Sequence, residues 1–177
     1  MVKLIGLDVG YGFVKVTDGD TGFSFPSVVG EGHIKPTFHT GLNRDVGINK
    51  LKIVLDDQLY FVGKSAIRHS KFAHRDLSFT RSTGNTLEVL FYAALSFFCN
   101  STVNKFKVVT GLPIERMHLI EDLRNRTKKE KSIKVFSGHE KKDIIINVED
   151  IEIVPQPLGT YWSQVLNTYG QTTEDTD

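Results

Sequence analysis

The sequence of 177 residues contains one cysteine, Cys99. A lone thiol builds no internal disulfide framework and fits a reducing compartment, so a cytoplasmic protein is expected. Neither sign of charge prevails: 22 Lys and Arg stand against 21 Asp and Glu, a net charge of +1. Without a basic field there is no electrostatic support for direct contact with nucleic acid or an anionic membrane. Long apolar runs are missing too. The longest, Val89 to Cys99, falls well short of the roughly 20 residues that span a bilayer. The N-terminal run Leu4-Ile5-Gly6-Leu7 is broken by Asp8 and is too short for a secretory signal. None of the six histidines shows zinc-ligand spacing with a cysteine. Repeats and low-complexity tracts are absent. The length fits about one domain, with room for an inserted subdomain.

What is present is apolar patterning. Lys3 to Asp8 reads as a short buried strand, Phe13 to Thr17 as a second, and Asp18-Gly19-Asp20 as the turn into a third at Gly22 to Phe25. Val28 to Asn49 is glycine-rich and polar, with no period, and is expected to be irregular. Leu51 to Leu55 and Leu59 to Val62 flank Asp56-Asp57-Gln58 as a hairpin, and Gly63 to Ala66 opens a short helix. Leu87, Leu90, Phe91, Ala94, Leu95 and Phe98 recur at helical spacing, with Val89, Ala93 and Phe97 apolar on the other side, which predicts a central buried helix. A strand over Lys105 to Thr110 precedes a second helix from Glu115 to about Thr127, with Leu119, Ile120 and Leu123 inward. Lys128 to Lys131 reads as a solvated charged exit. Ile133 to Phe136 and Asp143 to Val148 read as paired strands around Gly138-His139, and Ile151 to Val154 as a separate strand. Leu158 to Tyr169 reads as a helix carrying Tyr161, Trp162, Val165 and Leu166, and Gln171 to Asp177 as a disordered tail. Strands first, then strands alternating with helices, predict an α/β or α+β class.

The segment richest in chemistry is Asp8-Val9-Gly10-Tyr11-Gly12-Phe13-Val14-Lys15. A carboxylate ends a buried strand, two glycines follow in a tight turn, and a lysine lies early in the next strand. This pattern suits a phosphate. Gly10 and Gly12 let backbone N–H groups approach an anion. Asp8 would hold Mg²⁺ through water, since magnesium favours few carboxylates and keeps its waters. Lys15 would meet phosphate as a point charge. An ordinary hairpin with a turn-capping aspartate has the same spacing, and spacing alone leaves both open. Other phosphate motifs fail. Gly63-Lys64-Ser65 ends like a P-loop, but the first glycine would fall at Gln58, and Gly10-Tyr11-Gly12 lacks its third glycine, with Lys15 in that place. Cys99 reads as an inert core thiol, and the mildly basic stretch from Arg68 to Arg81 as a solvated face.

Asp8 to Lys15 resembles the first phosphate motif of the actin-like ATPases, in particular the plasmid-segregation (ParM/StbA) and archaeal actin-like types. Phe25-Pro26-Ser27 resembles the stretch leaving that family's first sheet. Tyr60-Phe61-Val62-Gly63-Lys64-Ser65-Ala66, Val108-Val109-Thr110-Gly111-Leu112-Pro113 and Val154-Pro155-Gln156-Pro157-Leu158-Gly159 resemble later family segments in the same order. The resemblance implies an α/β, ribonuclease-H-like first domain, its core formed by residues 1–27 and 84–170, with a smaller subdomain inserted over 28–83. Residues 171–177 would be a disordered tail or the start of a second domain. Asp8, Gly10, Tyr11, Gly12 and Lys15 would form the phosphate loop, with Asp8 toward Mg²⁺. Gln156 would orient the attacking water, and Asp8 and Gln156 together would carry catalysis. Tyr11 stands where actin has Ser or Thr, which favours a backbone contact to phosphate there. The implied cofactors are Mg²⁺ with ATP or GTP, and the implied partners are further copies in a filament and an adaptor protein that reaches DNA. The family's second phosphate motif and adenosine pocket are not seen before Asp177. The chain therefore reads as half of a nucleotide cleft, inactive alone. Alternatives are a non-catalytic homologue that regulates filaments or binds a partner, and a sugar- or acetate-kinase-like phosphotransferase of the same superfamily.

Overall fold

The computed structural model describes residues 1–32, 50–70, 73–74, 85–137, 140–166 and 171–172. Its frame is one ten-stranded mixed sheet. β1 (Val2–Val9), β2 (Phe13–Thr17) and β3 (Gly22–Pro26) form the expected meander at one edge. β4 is Val29–Gly32, and β5 (Leu51–Leu55) and β6 (Gln58–Val62) form the expected hairpin. Asp56 and Asp57 both take left-handed backbone angles, φ 49° and 61°. Two such residues make the mirror-image turn whose twist matches that of its flanking strands, and aspartate tolerates it better than most side chains. The short helix α1 (Lys64–His69) follows, then the two-residue β7 (Ala73–His74).

The central helix α2 (Asn85–Ser96) buries every residue from Leu87 to Leu95. It packs on β1, β2, β5 and β10, and Ile5, Leu7, Val14, Val16, Phe106 and Val108 join it in one core. Each such side chain taken from water stabilises the fold by about 1.5–3 kcal/mol. β8 (Val103–Leu112) leads to a 3-10 segment, Ile114–Leu119, and then α3 (Ile120–Thr127). β9 (Glu130–Ser137), β10 (Glu140–Pro155) and α4 (Gln156–Val165) complete the fold. The strand order is β3-β2-β1-β8-β10-β9-β5-β6-β4-β7, with β1, β8 and β10 mutually parallel and the remaining pairings antiparallel. Among the described residues, no helix is long and apolar enough to cross a membrane.

The structure corrects several expectations. Residues 29–32 are a strand, not irregular chain; the rest of the glycine-rich segment, 33–49, lies outside the described residues, as do Gly138-His139 and 173–177. The expected strand at Ile151 to Val154 is the end of a single 16-residue β10, which pairs through a bulge between Val148 and Asp150. The bulge absorbs one residue without ending the ladder, so the polar Glu149-Asp150 pair does not break the strand. The helix expected from Glu115 begins as a 3-10 segment, and Leu119 and Ile120 are only half-buried. The last helix starts at Gln156 and ends at Val165; Leu166 instead bridges Thr172 of the expected tail.

Lys131 is not a solvated exit either. Its side chain is 16% exposed, with Nζ 2.7 Å from Asp56 Oδ2 and 3.3 Å from Glu88 Oε1, which Lys129 also approaches at 3.0 Å. Burial opposes the charge on Lys131, yet the Asp56 hydrogen bond and Glu88 outweigh it and hold its ammonium above the ordinary lysine range. This ion pair ties the β5–β6 turn, α2 and β9 together.

Cys99 lies half-buried against the core, and its Sγ approaches the Leu95 carbonyl oxygen at 3.5 Å. Burial pushes its thiol up to about 12, against the pull of Lys3 and Lys142. At pH 8 only about one molecule in 10⁴ would then carry the thiolate, the form that reacts. Ellman's reagent at pH 8 is therefore expected to leave the folded protein unlabelled and to label one thiol in 6 M guanidinium; fast labelling of the folded chain would contradict the burial.

Candidate functional site

Register sets the site. Along β1 and β2 the partners are Leu7 with Val16, Asp8 with Lys15, and Val9 with Val14. Leu7, Val14 and Val16 point into the core, so the alternation of the pleat turns Asp8 and Lys15 out together on the other face. Between them runs the turn Gly10-Tyr11-Gly12. A Cβ on Gly10 would stand 2.8 Å from the Phe13 carbonyl oxygen, closer than real contacts allow; a Cβ on Gly12 would meet nothing within 4 Å. Gly10 is thus required by close approach of the backbone, whereas sterics leave Gly12 open to substitution.

Ser27 anchors this turn. Its hydroxyl donates to the Gly10 carbonyl oxygen at 2.5 Å, and its amide donates to the Gly12 carbonyl oxygen at 3.0 Å. Ser27 is 1% exposed, so these bonds form where water does not compete. At the tip of the turn the Tyr11 hydroxyl accepts a hydrogen bond from Arg116 Nη2, and the Arg116 guanidinium lies 5.5 Å from the Tyr11 ring centre.

The parallel strands bring up the opposite wall. Gly111 pairs with Val154 and Leu112 with Pro155, so β8 and β10 end at the same level. Gln156 is the first residue of α4, directly beyond β10, and Pro157 follows it in the first helical turn, where its missing N–H costs nothing. A Cβ on Gly111 would lie 2.9 Å from Gln156 Cγ. Glycine at 111 therefore makes room for Gln156.

These pieces enclose an open cleft of about 840 Å³ at the carboxyl ends of the strands. Asp8, Gly10, Tyr11, Lys15, Gly111 and Gln156 all line it. Gly12 is outside the lining and contributes through its bond to Ser27. Among the described lining residues, Asp8 is the one carboxylate and Lys15 the one cation. The positive end of α4 opens at the same place, since both Gln156 and Gly159 face the cleft. A single carboxylate beside a glycine turn, a lysine and a helix N-terminus fits a hydrated Mg²⁺ with a phosphate; it does not resemble a zinc or calcium cage. No group of three His, Cys, Asp or Glu gathers as a metal site among the described residues.

Sequence reasoning placed Asp8, Gly10, Tyr11, Lys15 and Gln156 here. It did not single out Ser27, Gly111 or Arg116 as site residues. Ser27 and Gly111 stood in segments that carried the family resemblance; Arg116 had no signal, because a continuous α-helix was expected there.

The family profile described as "Actin like proteins N terminal domain" matches residues 6–159. The chain belongs to the actin-like protein family. Its mixed α/β fold is that of the actin-like N-terminal domain. Among solved structures it is similar to the apo psk41 ParM protein, at 20% identity and TM-score 0.76, over 98% of this chain and 55% of that one. It is also similar to the ParM of a 15-stranded filament from Clostridium botulinum, at 26% identity and TM-score 0.67, over 93% of this chain and 51% of that one. The archaeal actin homologue Ta0583 matches at 18% identity and TM-score 0.70, over 93% of this chain and 48% of that one. This chain thus spans about half the length of these actin-like relatives. Comparison with curated protein sequences gives no significant match.

The two loop glycines give a direct check on the geometry. Gly10→Ala is expected to cost about 1–3 kcal/mol, because backbone must move to admit the methyl group. Gly12→Ala should stay within about 0.5 kcal/mol of the parent. Urea unfolding of both variants measures this, and equal losses would show that the turn is not built as described.

Proposed function

We propose that this chain supplies the phosphate-binding half of the nucleotide cleft in an actin-like, filament-forming ATPase that serves plasmid or DNA segregation. The observation that carries the reading is the convergence of the Asp8–Lys15 turn and Gln156 on one cleft, 148 positions apart in sequence at Asp8 and Gln156. In this reading the turn at Gly10 and Tyr11 binds the phosphates through its backbone, Gly12 holds the turn through its bond to Ser27, and Lys15 offsets the phosphate charge. Asp8 holds the metal through water. When bound, the magnesium of MgATP or MgGTP would supply charge neutralisation at the phosphoryl group. Gln156 orients the attacking water; an uncharged amide is a poor base, so it positions the water and does not deprotonate it. The base pocket lies outside this chain in this reading, so the choice between ATP and GTP is made elsewhere.

Self-association is supported by relatives solved as filaments, the Clostridium botulinum ParM and Alp12. Balanced charge favours an adaptor protein over direct contact with DNA. The same proposal includes a cytoplasmic location, a core of residues 1–27 and 84–170, and a smaller unit at 28–83 available for filament contacts.

Phosphate release by the full polypeptide tests the assignment. With MgATP it should release phosphate and pellet. Asp8→Ala should abolish release with an unchanged circular dichroism spectrum. Gln156→Ala should slow release by roughly 10²-fold, the usual scale for a misplaced reacting group, while nucleotide binding persists. Normal release from Asp8→Ala would overturn the metal assignment.

A further inference from the structure

The 3-10 segment Ile114–Leu119 inverts the usual order of polarity. It leaves Ile114 62% exposed and buries Arg116 to 7%. Burying a guanidinium is unfavourable unless its donors are matched, so such a placement calls for a specific partner. Hydrophobic burial does not explain it, since the apolar residue is the one left in water.

One partner among the described residues is 105 positions away. Arg116 Nη2 donates to the Tyr11 hydroxyl, and the guanidinium also lies over the Tyr11 ring at 5.5 Å. The segment's position follows from its entry: Pro113 ends β8, and the Arg116 amide donates back to the Pro113 carbonyl oxygen at 2.9 Å. Tyr11 occupies the tip of the turn, between Gly10 and Gly12, and is 42% exposed. Ser27 fixes the carbonyls on either side of the tip, and Arg116 holds the tip itself.

Arg116 does not line the large cleft. It lines a hollow of about 40 Å³ behind the turn, together with Gly10, Tyr11, Thr110, Gly111 and Gln156. That space is of the order of one or two waters, too small for a nucleotide. Arg116 thus shares this hollow with the phosphate turn and with Gln156.

We propose that Arg116 is a positioning residue that acts through Tyr11, fixing the phosphate turn relative to Gln156. The proposal rests on the reading of this cleft as a nucleotide-phosphate site. It does not have Arg116 touch the phosphate. The charge-assisted bond carries the effect, so the loss of either partner should weaken the site.

Steady-state kinetics of the full polypeptide with MgATP test this, using Arg116→Gln, Tyr11→Phe, the double variant and Arg116→Lys, with thermal unfolding measured alongside. Each of the first two is expected to raise KM about tenfold, the scale of a hydrogen bond to a charged group. The double variant should be no worse than either single one, because both remove the same contact. Arg116→Lys should recover part of the loss, since it keeps the charge but lacks the flat fork. Losses that multiply in the double variant would mean that Arg116 acts by a route other than Tyr11, and would overturn the proposal. So would an unchanged KM in Tyr11→Phe, a substitution at a half-exposed site that decides the matter even if Arg116→Gln fails to fold. A parent protein that neither binds nor hydrolyses MgATP would instead remove the nucleotide reading, and this proposal with it. Intact parental activity with unaffected variants would remove this proposal alone.

Discussion

Three parallel strands end side by side, and the cleft depends on that alignment. β1 stops at Val9, β8 at Leu112 and β10 at Pro155, with Leu7 opposite Thr110 and Leu112 opposite Pro155. Parallel neighbours send their chains out of the sheet on the same side, so the segments that follow them meet at that edge. The turn after β1, the 3-10 segment after β8 and the helix after β10 are these segments. A shift of two residues in either ladder would preserve the buried faces, yet would separate Asp8 from Gln156 by roughly 7 Å along the strand direction. The core requires only that apolar residues alternate correctly. The cleft requires the absolute register as well.

Around that edge, small residues and buried polar ones share the task of fixing the loops. Gly10 lets the backbone turn against Phe13, and Gly111 admits the Gln156 side chain. Ser27 and Arg116 supply hydrogen bonds from opposite sides of the turn. Their contributions differ in kind. Ser27 binds main-chain carbonyls and holds the turn whatever its side chains are, whereas Arg116 depends on a tyrosine at position 11. A serine or threonine at 11 would be too short to offer its hydroxyl where Tyr11 does.

The elements legible in the sequence were those whose own pattern determines them. The spacing of Leu87, Leu90, Phe91, Ala94 and Leu95 identified α2, because a helix buried on all sides needs apolar residues at every contact. The Asp56-Asp57 pair between two apolar runs identified a tight hairpin. β4 was hidden because Gly30 and Gly32 carry no pattern; each is glycine because a neighbour comes too close, with a Cβ on Gly30 only 2.3 Å from Ser70 Cβ. β10 was read as two strands because Glu149-Asp150 looks like a break, and only its partner strands keep it continuous. The cleft was legible at Asp8 to Lys15, where the residues are consecutive, and at Gln156 through the family resemblance. Arg116 was not legible, because its burial follows from a 3-10 winding and from a tyrosine in another part of the chain. Lys131 was missed for the same reason: its partners, Asp56 and Glu88, are distant in sequence.

The two ends of the sheet also bear on how copies of this chain can meet. An open strand edge is a template on which another strand can pair without limit, the route to cross-β aggregates. Among the described residues the outermost strands are poor templates. β3 is five residues long, begins with glycine and ends on Pro26, which has no N–H to donate, and β7 contributes two residues. Main-chain pairing at these rims is self-limiting. Contacts between copies at these rims would then fall to side chains on faces and loops rather than to backbone ladders.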